Sequence, residues 1–314
     1  MRRVGFVVFP GYQVMSFAVI SVFEIANLQA GTDIYDIRLL SEAGGAVPTS
    51  SGMSANTRPF DDAGLDTLIV GGATEVAPSA PGLIDFVTHA PARCRRVAAT
   101  CTGAFVLAEA GLLDGRRATT HWGHAIALQT QYPKAKIESD RIFVEDGPIW
   151  TSAGMSAGID LALAMVERDL GADISRAVAK KLVVYHRRAG GQSQYSMLLD
   201  MDAKSDRIQK ALSYAQQNLR APLRVEQLAA AANLSLRQFS RAFHAETGQS
   251  PAKAVENLRV EAARIMMEEG RHPIDVIARE TGFADRDRMR RAFLRAFGQP
   301  PQVIRRNARS ALAA

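Results

Sequence analysis

Cysteine is scarce: this 314-residue chain has two, Cys94 and Cys101. They stand seven apart and no secretory leader precedes them, so free thiols are expected rather than a disulfide framework. Long apolar runs are missing too. None approaches the roughly 20 residues that span a bilayer, and Met1-Arg2-Arg3 leads straight into a strand-like Val4–Phe9, too short for a signal-peptide core. A cytoplasmic protein with no membrane contact is therefore expected, and neither a metal site nor a cofactor. With 47% hydrophobic and 22% charged residues the chain is neither disordered nor fibrous.

Acidic residues run short in one part only. Residues 1–189 carry 18 Lys+Arg against 19 Asp+Glu, whereas 190–314 carry 20 against 13. Most of the surplus is arginine, whose forked guanidinium pairs with phosphates and guanine edges. A polyanionic partner, double-stranded DNA, is expected for the C-terminal part.

The length suits two domains. Residues 190–205 open with paired glycine and lack sustained periodicity, which reads as a linker between a domain at 1–189 and another at 206–314. Before it, the spacing predicts strands over 4–9, 34–40, 67–70 and 96–99, and helices over 14–29, 82–90, 103–110, 124–132 and 157–170. Such alternation implies an α/β domain with a mostly parallel sheet covered on both faces. Ligands bind these sheets at the carboxyl ends of the strands, where Gly71-Gly72 and Thr100-Cys101-Thr102-Gly103 fall. After the linker only helical patterns occur, over 205–218, 225–231, 235–247, 251–269, 273–280 and 285–297, so this domain is expected to be all α.

The helical domain repeats itself. Arg241-Ala242-Phe243 with Gly248-Gln249-Ser250-Pro251 recurs fifty residues later as Arg291-Ala292-Phe293 with Gly298-Gln299-Pro300-Pro301. Upstream, Leu228-Ala229 to Asn233-Leu234 matches Ile277-Ala278 to Gly282-Phe283 at forty-nine. Each copy has a helix with a small residue (Ala229, Ala278), a turn residue able to go left-handed (Asn233, Gly282), and a capped second helix (Ser235, Asp285). This is helix-turn-helix grammar, and the second helix is the one offered to the major groove. Phe239, Phe243, Met289 and Phe293 should face the core. That leaves Arg237, Ser240 and Arg241 in one copy, and Asp287, Arg288, Arg290 and Arg291 in the other, to contact DNA. Residues 208–306 resemble the AraC family, whose module joins two such units by a long helix, matched here by Ala252–Glu269. The resemblance implies recognition helices in successive major-groove segments.

In the first domain, Ala99-Thr100-Cys101-Thr102-Gly103 follows a strand and opens a helix, a turn that suits a cysteine nucleophile. Ala118-Thr119-Thr120-His121-Trp122 places a histidine after another short strand, so a Cys/His pair is one reading, and a buried structural cysteine is the other. Residues 3–189 resemble the DJ-1/PfpI superfamily, with Cys101 at the elbow and His121 at the Thr-Thr-His position. Gly115–Trp122, Thr151–Gly154 and Gly158–Ala162 are similar to the GlxA-like regulators, in which that domain is fused to an AraC-type module.

The resemblance implies a flavodoxin-like α/β sandwich, a homodimer and a sensor role, with relatives that control metabolism of amino acids and betaines. The superfamily's usual helix carboxylate falls on Ser21, with Glu24 one turn later, a departure that favours binding over turnover. Cys101 and His121 are then vestiges of a catalytic site. A ligand-responsive transcription regulator is expected, with Cys101, Thr102, Gly72, His121, Trp122 and Glu24 around a small nitrogen-containing effector. The alternatives are a DNA-binding protein without a ligand, and a thiol enzyme (amidase, peptidase or glyoxalase) carrying a nucleic-acid tether.

Overall fold

The computed structural model describes residues 1–60, 64–184, 188, 190, 194, 205–268, 272–297, 299–303 and 305–306. The chain divides into two compact units, Met1–Gln194 and Tyr195–Ala314. Most of the expected linker at 190–205 lies outside the described residues, as does Glu269 at the end of an expected helix. Gly190 and Gln194 belong to the first unit, where Gly190 accepts from the Phe143 N–H and Gln194 donates to the Thr120 carbonyl.

The first unit runs β1 (Arg2–Val7), a 3-10 turn (Val14–Phe17), α1 (Ala18–Ala30), β2 (Tyr35–Ser41), β3 (Gly45–Pro48), β4 (Ser54–Pro59) and β5 (Thr67–Val70). It continues with α2 (Pro81–Thr88), α3 (Ala90–Arg93), β6 (Arg96–Thr100), α4 (Gly103–Glu109), β7 (Arg117–Ala118) and α5 (Trp122–Gln131). The last elements are β8 (Lys136–Ile137), β9 (Phe143–Asp146), β10 (Ile149–Ser152), α6 (Ala157–Leu170) and α7 (Ala172–Lys181). The main sheet has the order β3-β4-β2-β1-β5-β6-β10-β9, and β4, β2, β1, β5, β6 and β10 are parallel.

Every residue of β5, β6 and β10 is buried, as strands covered on both faces require. Alternate residues feed two cores. Phe6, Ile69, Ala98 and Trp150 join the core under α1, α6 and α7, while Val7, Leu68, Val70, Val97 and Ile149 join the one under α2 and α4. The four expected strands are present. Those without a sequence expectation are two to six residues long, and β4 reads Ser-Ala-Asn-Thr-Arg-Pro, without the apolar alternation that signals a strand. Helix α7 buries only Ser175, Val178 and Ala179, too little to show as an apolar period.

The second unit is helical: α8 (Asp206–Gln217), α9 (Val225–Ala231), α10 (Leu236–Thr247), α11 (Pro251–Glu268), α12 (Ile274–Glu280) and α13 (Arg286–Phe297). Each helix lies within a residue or two of its expected span. Asn233 and Gly282 take the left-handed conformation at φ 54° and 78°. The Ser235 hydroxyl accepts from the Gln238 N–H in a capping box, and Asp285 accepts from the Arg288 N–H at 2.7 Å. Phe239 and Phe243 fill one small core, Met289 and Phe293 the other, and α11 contributes to both.

Candidate functional site

The elbow after β6 is held from every side. Cys101 takes φ 54°, a conformation that costs energy in a residue with a β-carbon. Its N–H donates to the Ser152 carbonyl at 3.0 Å, and its own carbonyl accepts from the Thr120 hydroxyl at 2.8 Å. Gly72 and Gly154 back onto it: a β-carbon on Gly72 would come 2.7 Å from the Cys101 β-carbon, and one on Gly154 would overlap it. Thr102 is equally fixed, its hydroxyl donating to the Ala73 carbonyl and accepting from the Ala73 N–H, both at 2.8 Å. Cys101, Thr102 and Gly72 are thus brought together.

Burial pushes the Cys101 thiol above its ordinary range, against the pull of the Thr102 N–H and hydroxyl. Burial also raises Cys94, to about 11. His121 opens α5, where its Nδ1 accepts from the Gly123 N–H at 3.2 Å and its ring neighbours Trp122 and His124. Burial, and then the nearby His124, hold its imidazole below the usual range. Trp122 is half exposed, its N–H donating to Gln194. Glu24 stands exposed on α1, and the side chain that reaches Gly72 from that part of the chain is Ser16.

A cavity of about 300 Å³ opens beside the elbow and touches Thr102, but its lining includes none of Cys101, Gly72, His121, Trp122 and Glu24. Sequence reasoning missed its walls, since they come from separate segments such as Phe9, Phe60 and Phe105. Among the described residues no group of His, Cys, Asp and Glu is placed to hold a metal ion, and no helix is long and apolar enough to cross a membrane.

In the second unit Arg237 and Arg241 are exposed on α10, with Ser240 partly buried, and Asp287, Arg288, Arg290 and Arg291 are exposed on α13. Between the two helix-turn-helix units lies a cleft of about 750 Å³. Among the described residues it is lined by Arg220, Arg259, Arg279, Arg288, Arg291 and Arg295, with Glu256 as the one acid. Arg295 donates to Glu256 at 2.6 Å, and Arg220 pairs with Glu280 at 3.2 Å. Four of these, Arg220, Arg259, Arg279 and Arg295, are not among the residues expected from the sequence, because three lie off the recognition helices and Arg295 lies one turn beyond the exposed set.

Two helix-turn-helix units with arginine-rich second helices, joined in one chain to an α/β domain with a cysteine elbow, define a DNA-binding transcription regulator. Residues 2–168 match the DJ-1/PfpI family, and residues 228–307 match a helix-turn-helix domain. The chain is 30% identical to the HTH-type transcriptional regulator GlxA of Rhizobium meliloti, over 99% of this chain and 97% of that one. It is 32% identical to isonitrile hydratase of Pseudomonas putida over 57% of this chain and 77% of the hydratase. The first unit shares its fold with the crystal structure of an AraC family transcriptional regulator from Pseudomonas putida, at TM-score 0.54 and 24% identity, covering 58% of this chain and all of that one. The chain belongs to the DJ-1/PfpI family, among the regulators fused to an AraC-type helix-turn-helix domain.

Proposed function

We propose that the first unit is a sensor without catalytic turnover, that a small nitrogen-containing metabolite is its effector, and that the chain acts as a cytoplasmic homodimer on a paired operator. The observation that carries the sensor reading is the state of Cys101. Its thiol is buried and held protonated, and the groups drawing it toward thiolate are the N–H and hydroxyl of Thr102, not a charge. His121 spends its Nδ1 on capping α5. A general base needs an unprotonated nitrogen facing the proton it takes, and with Nδ1 accepting from Gly123 the neutral ring carries its own proton on Nε2.

DNA is read by Arg237, Ser240 and Arg241 on α10 and by Asp287, Arg288, Arg290 and Arg291 on α13, with arginines of the cleft facing the phosphates that run between the two recognition helices. The surplus of positive charge supports this: among the described residues six arginines against one glutamate line the cleft. An effector acts by binding one arrangement of the protein more tightly than another.

Footprinting on an operator fragment tests the reading. It should show paired protected segments about 10 bp apart, with an affinity that shifts when the effector is added and survives Cys101→Ala. The likeness to isonitrile hydratase favours a second reading, a thiol enzyme. A measurable turnover that Cys101→Ala abolishes, with no effector-dependent shift in affinity, would establish that reading instead.

A further inference from the structure

The carboxyl ends of β1, β2, β5 and β6 surround the cavity of about 300 Å³. It lies where the strand order turns, because the chain places β2 on one side of β1 and β5 on the other. Open α/β sheets bind ligands at such points. Phe9, Phe60 and Phe105 line it with rings, and Val76, Leu83 and Val106 with aliphatic groups.

The polar groups of the lining are few and divided by depth. The buried hydroxyls of Ser41 and Thr102 are engaged, with Thr57 at 2.6 Å and with Ala73 at 2.8 Å. Glu42 and Glu75 are exposed at the rim, and among the described residues no basic side chain lines the cavity. The first turn of α2, where a ligand anion would otherwise find N–H groups, is already faced by the Glu42 carboxylate, which fills the space a β-carbon on Gly82 would take.

We propose that this cavity binds a small hydrophobic amine, with an apolar body among the phenyl rings and an ammonium at the rim facing Glu42 and Glu75. An apolar cavity of about 150 Å³ holds a benzene ring, so the volume here takes a ring or short alkyl chain with its amine arm. Aromatic faces attract an ammonium, and the two carboxylates add to that attraction. An amino acid or betaine is disfavoured, since its carboxylate would meet two like charges and no cation. As an effector site this rests on the regulator reading above, whereas as a binding site it stands alone. Thr102 both lines the cavity and follows Cys101, so an occupant touches the same hydrogen bonds that fix the elbow.

Isothermal titration of the full-length protein with 2-phenylethylamine, with the neutral 2-phenylethanol and with phenylalanine tests this directly. The amine should bind about tenfold or more tightly than either of the others. In the Glu42→Gln/Glu75→Gln double variant that advantage over the alcohol should vanish while circular dichroism stays unchanged. Ala77→Trp at the exposed rim should abolish binding of all three. Equal binding of amine and alcohol, binding of phenylalanine as tight as the amine, or no heat from any of them at millimolar concentration would overturn the proposal. No DNA is in the cell, so each of these failures leaves the regulator reading standing.

Discussion

Gly282 in the turn between α12 and α13 lies against the carbonyl oxygen of Leu219, so close that a β-carbon there would overlap it. The same oxygen accepts from Arg259 Nε on α11 at 3.1 Å, so the turn, the segment after α8 and the connecting helix meet at one point. In the first helix-turn-helix unit the corresponding turn residue is Asn233, which is exposed and keeps its side chain at φ 54°. The two turns share a backbone conformation and differ in what surrounds them.

Gly282→Ala should therefore destabilise the second unit by about 2 kcal/mol or more, from the left-handed backbone and the displaced carbonyl together. Asn233→Gly should change stability by no more than about 0.5 kcal/mol. Urea unfolding of the two variants checks this, and comparable losses would contradict the assigned packing.

The Asp169 carboxylate, at the end of α6, is fully buried and gathers Arg2, Arg95 and Arg96 at 3.1, 2.9 and 2.5 Å, together with the Tyr35 hydroxyl at 3.1 Å. Arg96 is 4% exposed and depends on it for compensation. Asp169→Asn should cost about 3–5 kcal/mol, the range for breaking a buried pair. Asp173→Asn, which breaks an exposed pair with Arg176, should cost less than about 1 kcal/mol. Thermal unfolding of both variants measures the contrast.

Alkylation reports the elbow thiol. Because burial raises the Cys101 thiol, it stays protonated at neutral pH. In a Cys94→Ser background its reaction with iodoacetamide should be slower at pH 7 than that of an exposed thiol and still be rising beyond pH 9. A rate that levels off below pH 8 would mean a thiolate poised for catalysis, and would revive the enzyme reading.

On α13, Arg290 and Arg291 are exposed and, in the proposed complex, face DNA. Where such an arginine meets only phosphate, its replacement by alanine should lower the slope of log K against log salt by about 0.9. Where it meets a base edge, it should cost about 1–3 kcal/mol and relax preference at one position. Binding titrations at several salt concentrations separate the two.

The second unit was legible almost residue by residue, because its repeat, caps and turn residues are local signals that agree with one another. The first unit was legible in outline. Its central strands Thr67–Val70 and Arg96–Thr100 stand out as apolar runs, while β3, β4 and β7 to β10 are short or polar and gain their pairing from the sheet. The elbow was readable because Cys101, Thr102 and Gly72 stand at strand ends. The cavity was not, since Phe9, Glu42, Phe60, Glu75 and Phe105 come from distant segments that only the fold assembles. His121 and Trp122 are grouped with the cysteine by motif, whereas in the fold His121 caps α5 through Gly123 and neighbours His124, and Trp122 donates to Gln194.

Two tandem helix-turn-helix units reading one operator would leave a signature in the DNA they select. Selection of fragments from genomic DNA with the full-length protein, followed by titration of the best fragment at several salt concentrations, tests for it most directly. Specific sites with half-sites about one helical turn apart should be enriched, with a steep salt slope that falls when arginines of α10 or α13 are removed. Weak binding without enrichment of any sequence, and with a salt slope indifferent to those arginines, would contradict such tandem reading.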